Sequence, residues 1–327
     1  MHNLDSYPLT VIALGAIAFG VYLLVKGGDW TIDSAVRIAE RSGLSKLFIA
    51  ATIVAFGTSA PELFTSINAN LSGYPGIAVG NVLGSNIANV LLVTGVAAII
   101  APVVANRREV RVDTIVMLLA TAALSVAVIM GLLPRWGGVV MLAAIVAYVV
   151  YQYRASKLDI DEDDDEDEAT GNPYLMVILG IGTLVLGSEI LVQGAVAGGI
   201  ALGVPEAVIG MTVIAFGTSL PELTACVAAA RKGQSDMIVG GIIGSNIFNI
   251  LSVLAMSSVF KTLVIAPRFA AYDLPVVILV TGIFAALLLV AGRIGRIAGG
   301  VMVAGYVVFT LAQYSGLLGT SPVMASL

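Results

Sequence analysis

The sequence predicts an all-α integral membrane protein in which ten transmembrane helices form two inverted five-helix repeats, with broken helices 2 and 7 meeting at the midplane. Three observations support this prediction. Hydrophobic residues make up 58% of the chain and charged residues only 11%, whereas soluble domains average about 25% charged residues. One nine-residue string that contains a glutamate occurs twice with a single difference, and Lys and Arg are divided unevenly between the loops.

Ten apolar segments are long enough to cross a bilayer, which requires about 20 helical residues. The chain has one histidine, His2, and one cysteine, Cys226. Zinc centres, disulfides and histidine-dependent catalytic triads are therefore excluded, and we expect neither an enzyme nor a bound cofactor. The predicted spans begin near Pro8, Leu47, Ile77, Asp113, Trp136, Pro173, Glu206, Met237, Asp273 and Ile297.

An internal duplication relates the two halves of the chain. The repeated string occupies residues 55–63 and 215–223, and its copies differ only at the sixth position. The same offset of 160 residues aligns Gly84–Asn89 with Gly244–Asn249 and holds without gaps over roughly 70 residues. Each half contains five predicted spans, and because that number is odd, the second half is expected to be inverted relative to the first.

The loops predict the organisation and orientation of the chain. We expect a first repeat over residues 1–157, a linker over 158–172 and a second repeat over 173–327. Only Arg135, Lys261 and Arg268 fall on one side, and the other thirteen of the 16 Lys and Arg residues fall on the opposite side. The positive-inside rule then predicts a multi-pass cell-membrane protein with both termini outside and the linker in the cytoplasm.

The acidic run Asp159–Glu168 occupies most of this linker. Its charges repel one another and cannot pack, so we expect a solvated tether. A regulatory calcium site is the alternative, although the run lacks the spaced acids and the glycine of an EF-hand loop.

Gly-Thr-Ser-x-Pro-Glu, the centre of the repeated string, predicts a break inside spans 2 and 7. Glycine weakens a helix and proline removes a backbone donor, so carbonyls are freed at membrane depth, where they must face protein or a wet cavity. An ionised carboxylate there costs several kcal/mol unless it has a partner. A proline-kinked helix with a salt-bridged glutamate is the simpler interpretation, but no Lys or Arg lies nearby in the same segments to pair with Glu62 or Glu222.

Spans 2, 3, 7 and 8 together offer a set of oxygen donors. Two carboxylates brought together at the repeat interface favour one divalent cation or several monovalent ones. Oxygen-only ligands suit Ca²⁺ and Na⁺ better than transition metals. The donors are Thr58, Ser59, Glu62, Ser85, Asn89, Thr218, Ser219, Glu222, Ser245 and Asn249.

The paired Gly-Thr-Ser-x-Pro-Glu and Gly-Ser-Asn-Ile-x-Asn motifs resemble the two alpha-repeats of the cation/calcium exchanger superfamily, in its prokaryotic sodium/calcium exchanger (antiporter) branch. The alpha-repeats would cover about residues 47–98 and 206–258. The resemblance implies secondary active exchange of Na⁺ for Ca²⁺ by alternating access at a central site, with spans 1 and 6 sliding across the rest. It adds the carbonyls of Ala55 and Ala215 to the ligands named above. Some members carry aspartate where this chain has Asn249, so its site would be one negative charge short of theirs.

Other functions remain open at this stage. An H⁺- or K⁺-coupled calcium/cation antiporter is the alternative within the superfamily, although its proton-coupled members usually carry a different acidic motif. A cation channel is the alternative from another class, but channels are usually symmetric oligomers around a pore. The expected partners are calcium ions, sodium ions and the lipid bilayer, with no nucleic acid and no obligatory protein partner.

Overall fold

A computed structural model describes residues 7–155, 172–201 and 215–314. Within these ranges eight helices are long and apolar enough to cross a membrane, and one bent helix pair would make a ninth. Apart from span 7, whose predicted start at Glu206 lies outside the described residues, the spans begin within four residues of their predicted starts. Their bounds are Tyr7–Ser42 (span 1), Lys46–Thr58 with Ala60–Leu71 (span 2), Pro75–Ile100 (span 3), Val110–Met130 (span 4), Arg135–Ala155 (span 5), Pro173–Ala201 (span 6), Ala215–Gly217 with Leu220–Arg231 (span 7), Ser235–Phe260 (span 8), Phe269–Ala291 (span 9) and Arg296–Tyr314 (span 10).

Two short strand pairs connect the halves. Strand β1 (Val103–Val104) pairs antiparallel with β4 (Arg293–Ile294), and β2 (Leu132–Leu133) pairs antiparallel with β3 (Leu263–Val264). The repeat relates β1 to β3 and β2 to β4, so it maps one pair onto the other. Paired strands must lie on the same side of a membrane. Six spans separate β1 from β4 and four separate β2 from β3, and both numbers are even, as the inverted repeat requires.

The spans form a buried centre and an outer pair. In the most apolar part of spans 8 and 3, 89% and 67% of the residues are buried, whereas the buried share is 28% in spans 1 and 6 and 11% in span 10. Spans 1 and 6 instead pack on each other through small residues, which let helix backbones approach closely in a bilayer. A Cβ atom added at Gly27 would lie 2.8 Å from the backbone nitrogen of Leu184.

Spans 3 and 8 change their helical geometry at equivalent positions. The α-helix gives way to a π-helical segment at Asn89–Val93 and again at Asn249–Leu254. The four-residue spacing from Ser85 to Asn89 places both residues on one face of a continuous helix, and the helix does continue, but it widens at the asparagine. Such wide turns occur often at functional sites.

Candidate ion-binding site

The repeated string breaks both of the helices that contain it. The two parts of span 2 meet at an angle of 45°, and the backbone leaves helical geometry at Ser59 (φ −82°, ψ 8°) and at Ser219 (φ −89°, ψ 5°). Pro221 follows the second break and has no N–H to give to the carbonyl of Gly217, which instead accepts a hydrogen bond from Ser188 Oγ of span 6 at 2.5 Å. The predicted breaks are confirmed.

Each serine at a break reaches the glutamate of the other repeat. Ser59 Oγ donates to Glu222 Oε1 at 2.9 Å, and Ser219 Oγ donates to Glu62 Oε1 at 3.4 Å. Ser85 Oγ of span 3 also donates to Glu62 Oε1 at 3.4 Å. Glu62 is 1% exposed and Glu222 is 5% exposed. The structure therefore brings the two predicted carboxylates and three predicted hydroxyls into one buried cluster.

Four asparagines form a second crossed pattern between spans 3 and 8. Asn89 Nδ2 donates to Asn246 Oδ1 at 3.3 Å, and Asn249 Nδ2 donates to Asn86 Oδ1 at 3.1 Å. Because each amide nitrogen is held in this way, the carbonyl oxygens of Asn89 and Asn249 point away from these bonds. Asn86 and Asn246 were not among the predicted site residues, although their recurrence in both copies of the motif was a signal for them.

Several buried oxygens in this cluster lack a hydrogen-bond partner among the described residues. Leaving a buried polar group unsatisfied costs about 1–3 kcal/mol, and native structures contain few such groups. No Lys or Arg in the described part of the chain forms an ion pair with either glutamate. One cation, or several, held among these oxygens would satisfy them together. They are Glu62 Oε2, Glu222 Oε2, Asn89 Oδ1, Asn249 Oδ1 and Ser245 Oγ.

The two predicted carbonyl donors differ in their surroundings. The carbonyl of Ala55 accepts bonds from the Ser59 amide at 3.0 Å and from Thr58 Oγ1 at 3.3 Å, so both of its lone pairs are engaged. In the second repeat the equivalent serine amide bonds to Phe216 O at 3.2 Å. The backbone of Ala215 lies in the short helix Ala215–Gly217, which precedes the break.

Asn81 joins the site from outside the predicted set. Its Nδ2 donates to the main-chain carbonyl of Glu62 at 3.3 Å and to Ser66 Oγ at 2.9 Å, and its Oδ1 accepts from Thr218 Oγ1 at 3.4 Å. Asn81 precedes Ser85 by four residues, just as Ser85 precedes Asn89. That polar stripe at helical spacing was the signal that could have identified it.

The site is not symmetric around its two glutamates. The second repeat has Gly241 where the first has Asn81, so among the described residues Glu222 has no counterpart of the Asn81 side chain beside it. A small cavity remains there. Its lining includes Thr58, Asn89, Glu222, Cys226, Gly241 and Ser245.

Known proteins match the whole of this architecture. The family model described as sodium/calcium exchanger protein matches residues 12–154 and 172–315. The putative antiporter CaxA of Alkalimonas amylolytica is 34% identical over 296 residues, which cover 88% of this chain and 92% of the relative. The sodium/calcium exchanger MaX1 of Methanosarcina acetivorans is 31% identical over 340 residues, covering 91% of this chain and 97% of MaX1.

A solved structure of the sodium-calcium exchanger NCX_Mj resembles the described fold with a TM-score of 0.81 at 31% identity, covering 94% of this chain and 99% of that chain. The family match includes both repeats and the spans that carry the glutamates and asparagines. This chain therefore belongs to the sodium/calcium exchanger protein family.

Proposed function

We propose that this protein is a secondary active transporter that exchanges Na⁺ for Ca²⁺ across the membrane by alternating access at the buried oxygen cluster. The observation that carries the proposal is the set of unsatisfied oxygens, because carboxylate, amide and hydroxyl oxygens are the ligands that hard cations prefer. The relatives named as sodium/calcium exchangers support the identity of the two ions.

Charge balance supports these two substrates. Glu62 and Glu222 supply two negative charges. No cluster of three or more His, Cys, Asp or Glu side chains occurs among the described residues, so no third acidic side chain joins them there. Two carboxylates in a low-dielectric site repel each other strongly unless a cation neutralises them. One Ca²⁺ or two Na⁺ would do so, while Asn89 and Asn249 add oxygens without charge. Because both ions would use the same oxygens, they should compete for the site.

The ligands of the site are assigned as part of this proposal. Glu62 and Glu222 hold the cations directly, and Ser59 and Ser219 connect the two halves of the cluster. The remaining ligands are Thr58, Ser85, Asn89, Thr218, Ser245 and Asn249, with the carbonyls of Ala55 and Ala215. The Ala55 carbonyl would exchange its long bond from Thr58 Oγ1 for the cation when the ion binds.

The architecture also supports a route for alternating access. Spans 1 and 6 pack on each other outside the buried centre, and Ser188 of span 6 bonds the broken backbone of span 7. Movement of this outer pair would expose the site to one side and then the other. We place both termini outside the cell and the acidic linker in the cytoplasm.

Calcium uptake into proteoliposomes tests the function. Purified protein is reconstituted into vesicles loaded with Na⁺ and diluted into Na⁺-free medium containing labelled Ca²⁺. Uptake should occur with internal Na⁺ and fail with internal K⁺ or with a proton gradient alone. Uptake that is independent of internal Na⁺ would indicate a channel, and uptake driven by protons would indicate the other branch of the superfamily.

A further inference from the structure

An open cleft of about 500 Å³ lies between the start of span 4 and the end of span 9. Three arginines and two apolar side chains line it. They are Arg107, Arg108, Arg111, Ile115 and Leu289. Binding pockets for small ligands are typically about 300–1,000 Å³, so the cleft has room for a charged headgroup and the beginning of a hydrocarbon chain.

The arginines of this cleft carry charge that the described residues do not neutralise. None of the three forms an ion pair in the described part of the chain. The nearest carboxylate in sequence, Glu109, is exposed and accepts a hydrogen bond from Asn106. Three neighbouring positive charges repel one another, so a bound anion would stabilise this arrangement.

Arg107 is held in position across one wall of the cleft. Its Nη2 donates to the carbonyl of Ala291 at 3.3 Å. The side chain passes over Gly292, where an added Cβ atom would lie 3.0 Å from Arg107 Nε, and Gly292 has a left-handed backbone with φ 69°. A guanidinium that is already ordered loses less conformational freedom when it binds a ligand.

The internal repeat shows that the fold does not require these arginines. The positions equivalent to Arg107, Arg108 and Arg111 in the second half are Pro267, Arg268 and Ala271. Arg268 is neutralised, because its Nη2 lies 3.7 Å from Asp273 Oδ2. The cluster of free positive charge is therefore an addition on one face of the molecule only.

We propose that this cleft binds an anionic phospholipid, with the headgroup phosphate held by Arg107, Arg108 and Arg111 and an acyl chain lying over Ile115 and Leu289. Guanidinium groups bind phosphate with paired hydrogen bonds, and basic pockets between membrane helices are suited to anionic headgroups. Ile115 is 42% exposed, and Leu119, one turn further along span 4, is 64% exposed. The apolar face therefore continues into the membrane, which favours a lipid over a free phosphate ion or an acidic peptide.

Lipid binding by the purified full-length protein tests the proposal. Native mass spectrometry is recorded during titration with phosphatidylglycerol and, separately, phosphatidylcholine. The variant Arg108→Gln/Arg111→Gln leaves the Arg107 bond to Ala291 in place and should bind phosphatidylglycerol about tenfold more weakly. The matched control, Arg154→Gln/Arg231→Gln, removes two exposed arginines predicted on the same side of the membrane and should change the affinity less than about twofold.

The apolar part of the cleft is tested with Leu289→Ser. This variant should weaken phosphatidylglycerol binding while leaving the binding of inorganic phosphate unchanged. Equal losses in the two arginine double variants would show diffuse attraction to the surface and overturn the proposal. Inorganic phosphate binding as tightly as the lipid would overturn it in favour of an anion site. A tenfold or larger gain in lipid affinity on deleting Asp161–Glu168 would show that the acidic run occupies the cleft, and would also overturn the proposal.

Discussion

Glu62 and Glu222 each accept a hydrogen bond from a serine of the opposite repeat with one carboxylate oxygen. The other oxygen of each has no donor among the described residues. This arrangement ties both charges to one place while leaving them able to bind a cation. Ser59 and Ser219 can rotate their hydroxyls, so the crossed bonds would break when an ion enters and re-form when it leaves. In the proposed exchange, the same pair of carboxylates would bind Na⁺ and Ca²⁺ in turn.

We expect Glu62→Gln and Glu222→Gln each to reduce calcium uptake to less than about a tenth of the wild-type rate. An amide keeps the shape and one oxygen but removes half of the charge available to a divalent ion, and ligand charge strongly tunes calcium affinity. The measurement is Na⁺-driven uptake by proteoliposomes containing equal amounts of folded protein. Glu40→Gln, which changes an exposed carboxylate, is the control and should transport normally. Substantial uptake by either buried-site variant would contradict the assignment of both glutamates.

Asn246 and Asn86 accept hydrogen bonds from the amides of Asn89 and Asn249. Replacing them should therefore change the calcium affinity and not only the stability of the protein. Asn246→Ala removes the acceptor of the Asn89 amide, so the Asn89 side chain is free to turn its oxygen away from the site. We expect KM for calcium to rise roughly fivefold, the effect of losing one hydrogen bond. Asn70→Ala is the matched control, because Asn70 is equally buried but bonds the carbonyls of Ser257 and Lys261. It should lower the unfolding temperature and leave KM unchanged, and an equal rise in KM would refute the positioning role.

At the scale of elements, the helix breaks were predictable and the π-helical segments were not. Glycine, proline and a buried acid are local signals, so the breaks at Ser59 and Ser219 could be predicted from the string alone. A π-helical segment depends on how neighbouring spans pack, and nothing in the local sequence at Asn89 or Asn249 predicts it. The crossed amide bonds were also not predictable, because they join residues 157 and 163 positions apart.

The packing of span 1 on span 6 gives a prediction about elements. At Gly27 an added Cβ atom would meet the backbone of span 6, at 2.8 Å from Leu184 N and 2.9 Å from Gly180 O. Gly27→Ala should therefore force the helices apart and destabilise the protein by about 1–3 kcal/mol, as overpacking does. At Gly15 of the same helix, an added Cβ atom would have no described residue of another segment within 4 Å. Gly15→Ala should therefore be neutral or stabilising, since alanine favours a helix. The unfolding temperatures in detergent compare them, and equal effects would argue against close packing of the two spans.

At the scale of the whole molecule, the internal repeat explains the features that the two halves share. A few positions where the two copies differ in sequence explain the features found in one half only. The strand pairs, the crossed serines and the crossed asparagines all obey the duplication. The duplication itself is visible when the sequence is compared with itself, but the contacts between its copies are not. The two halves differ at Asn81, whose equivalent is Gly241, and at Arg107, whose equivalent is Pro267. The first difference leaves a cavity beside Glu222, and the second places a basic cleft on one face only. Their consequences depend on which spans become neighbours, so the sequence alone did not show them.

Orientation in the membrane is the last prediction, and the repeat supplies a matched pair of positions for it. Tyr74 and Gln234 occupy equivalent turns, which follow spans 2 and 7 and are related by the offset of 160 residues. Since each half has five spans, these turns should lie on opposite sides of the membrane. The basic turn Arg231–Lys232 should lie in the cytoplasm, because cytoplasmic loops carry the excess of Lys and Arg.

Tyr74→Cys and Gln234→Cys, each made in a Cys226→Ala background, test the orientation with a membrane-impermeant maleimide on intact cells. We expect Tyr74→Cys to react at once and Gln234→Cys to react only after permeabilisation. Cys226 is buried and is the one native cysteine, so its replacement leaves a single thiol in each variant. The opposite pattern would reverse the orientation and keep the inverted repeat. Reaction of both positions from the same side would contradict the inversion itself, because five spans separate the two turns and an odd number must place them on opposite sides.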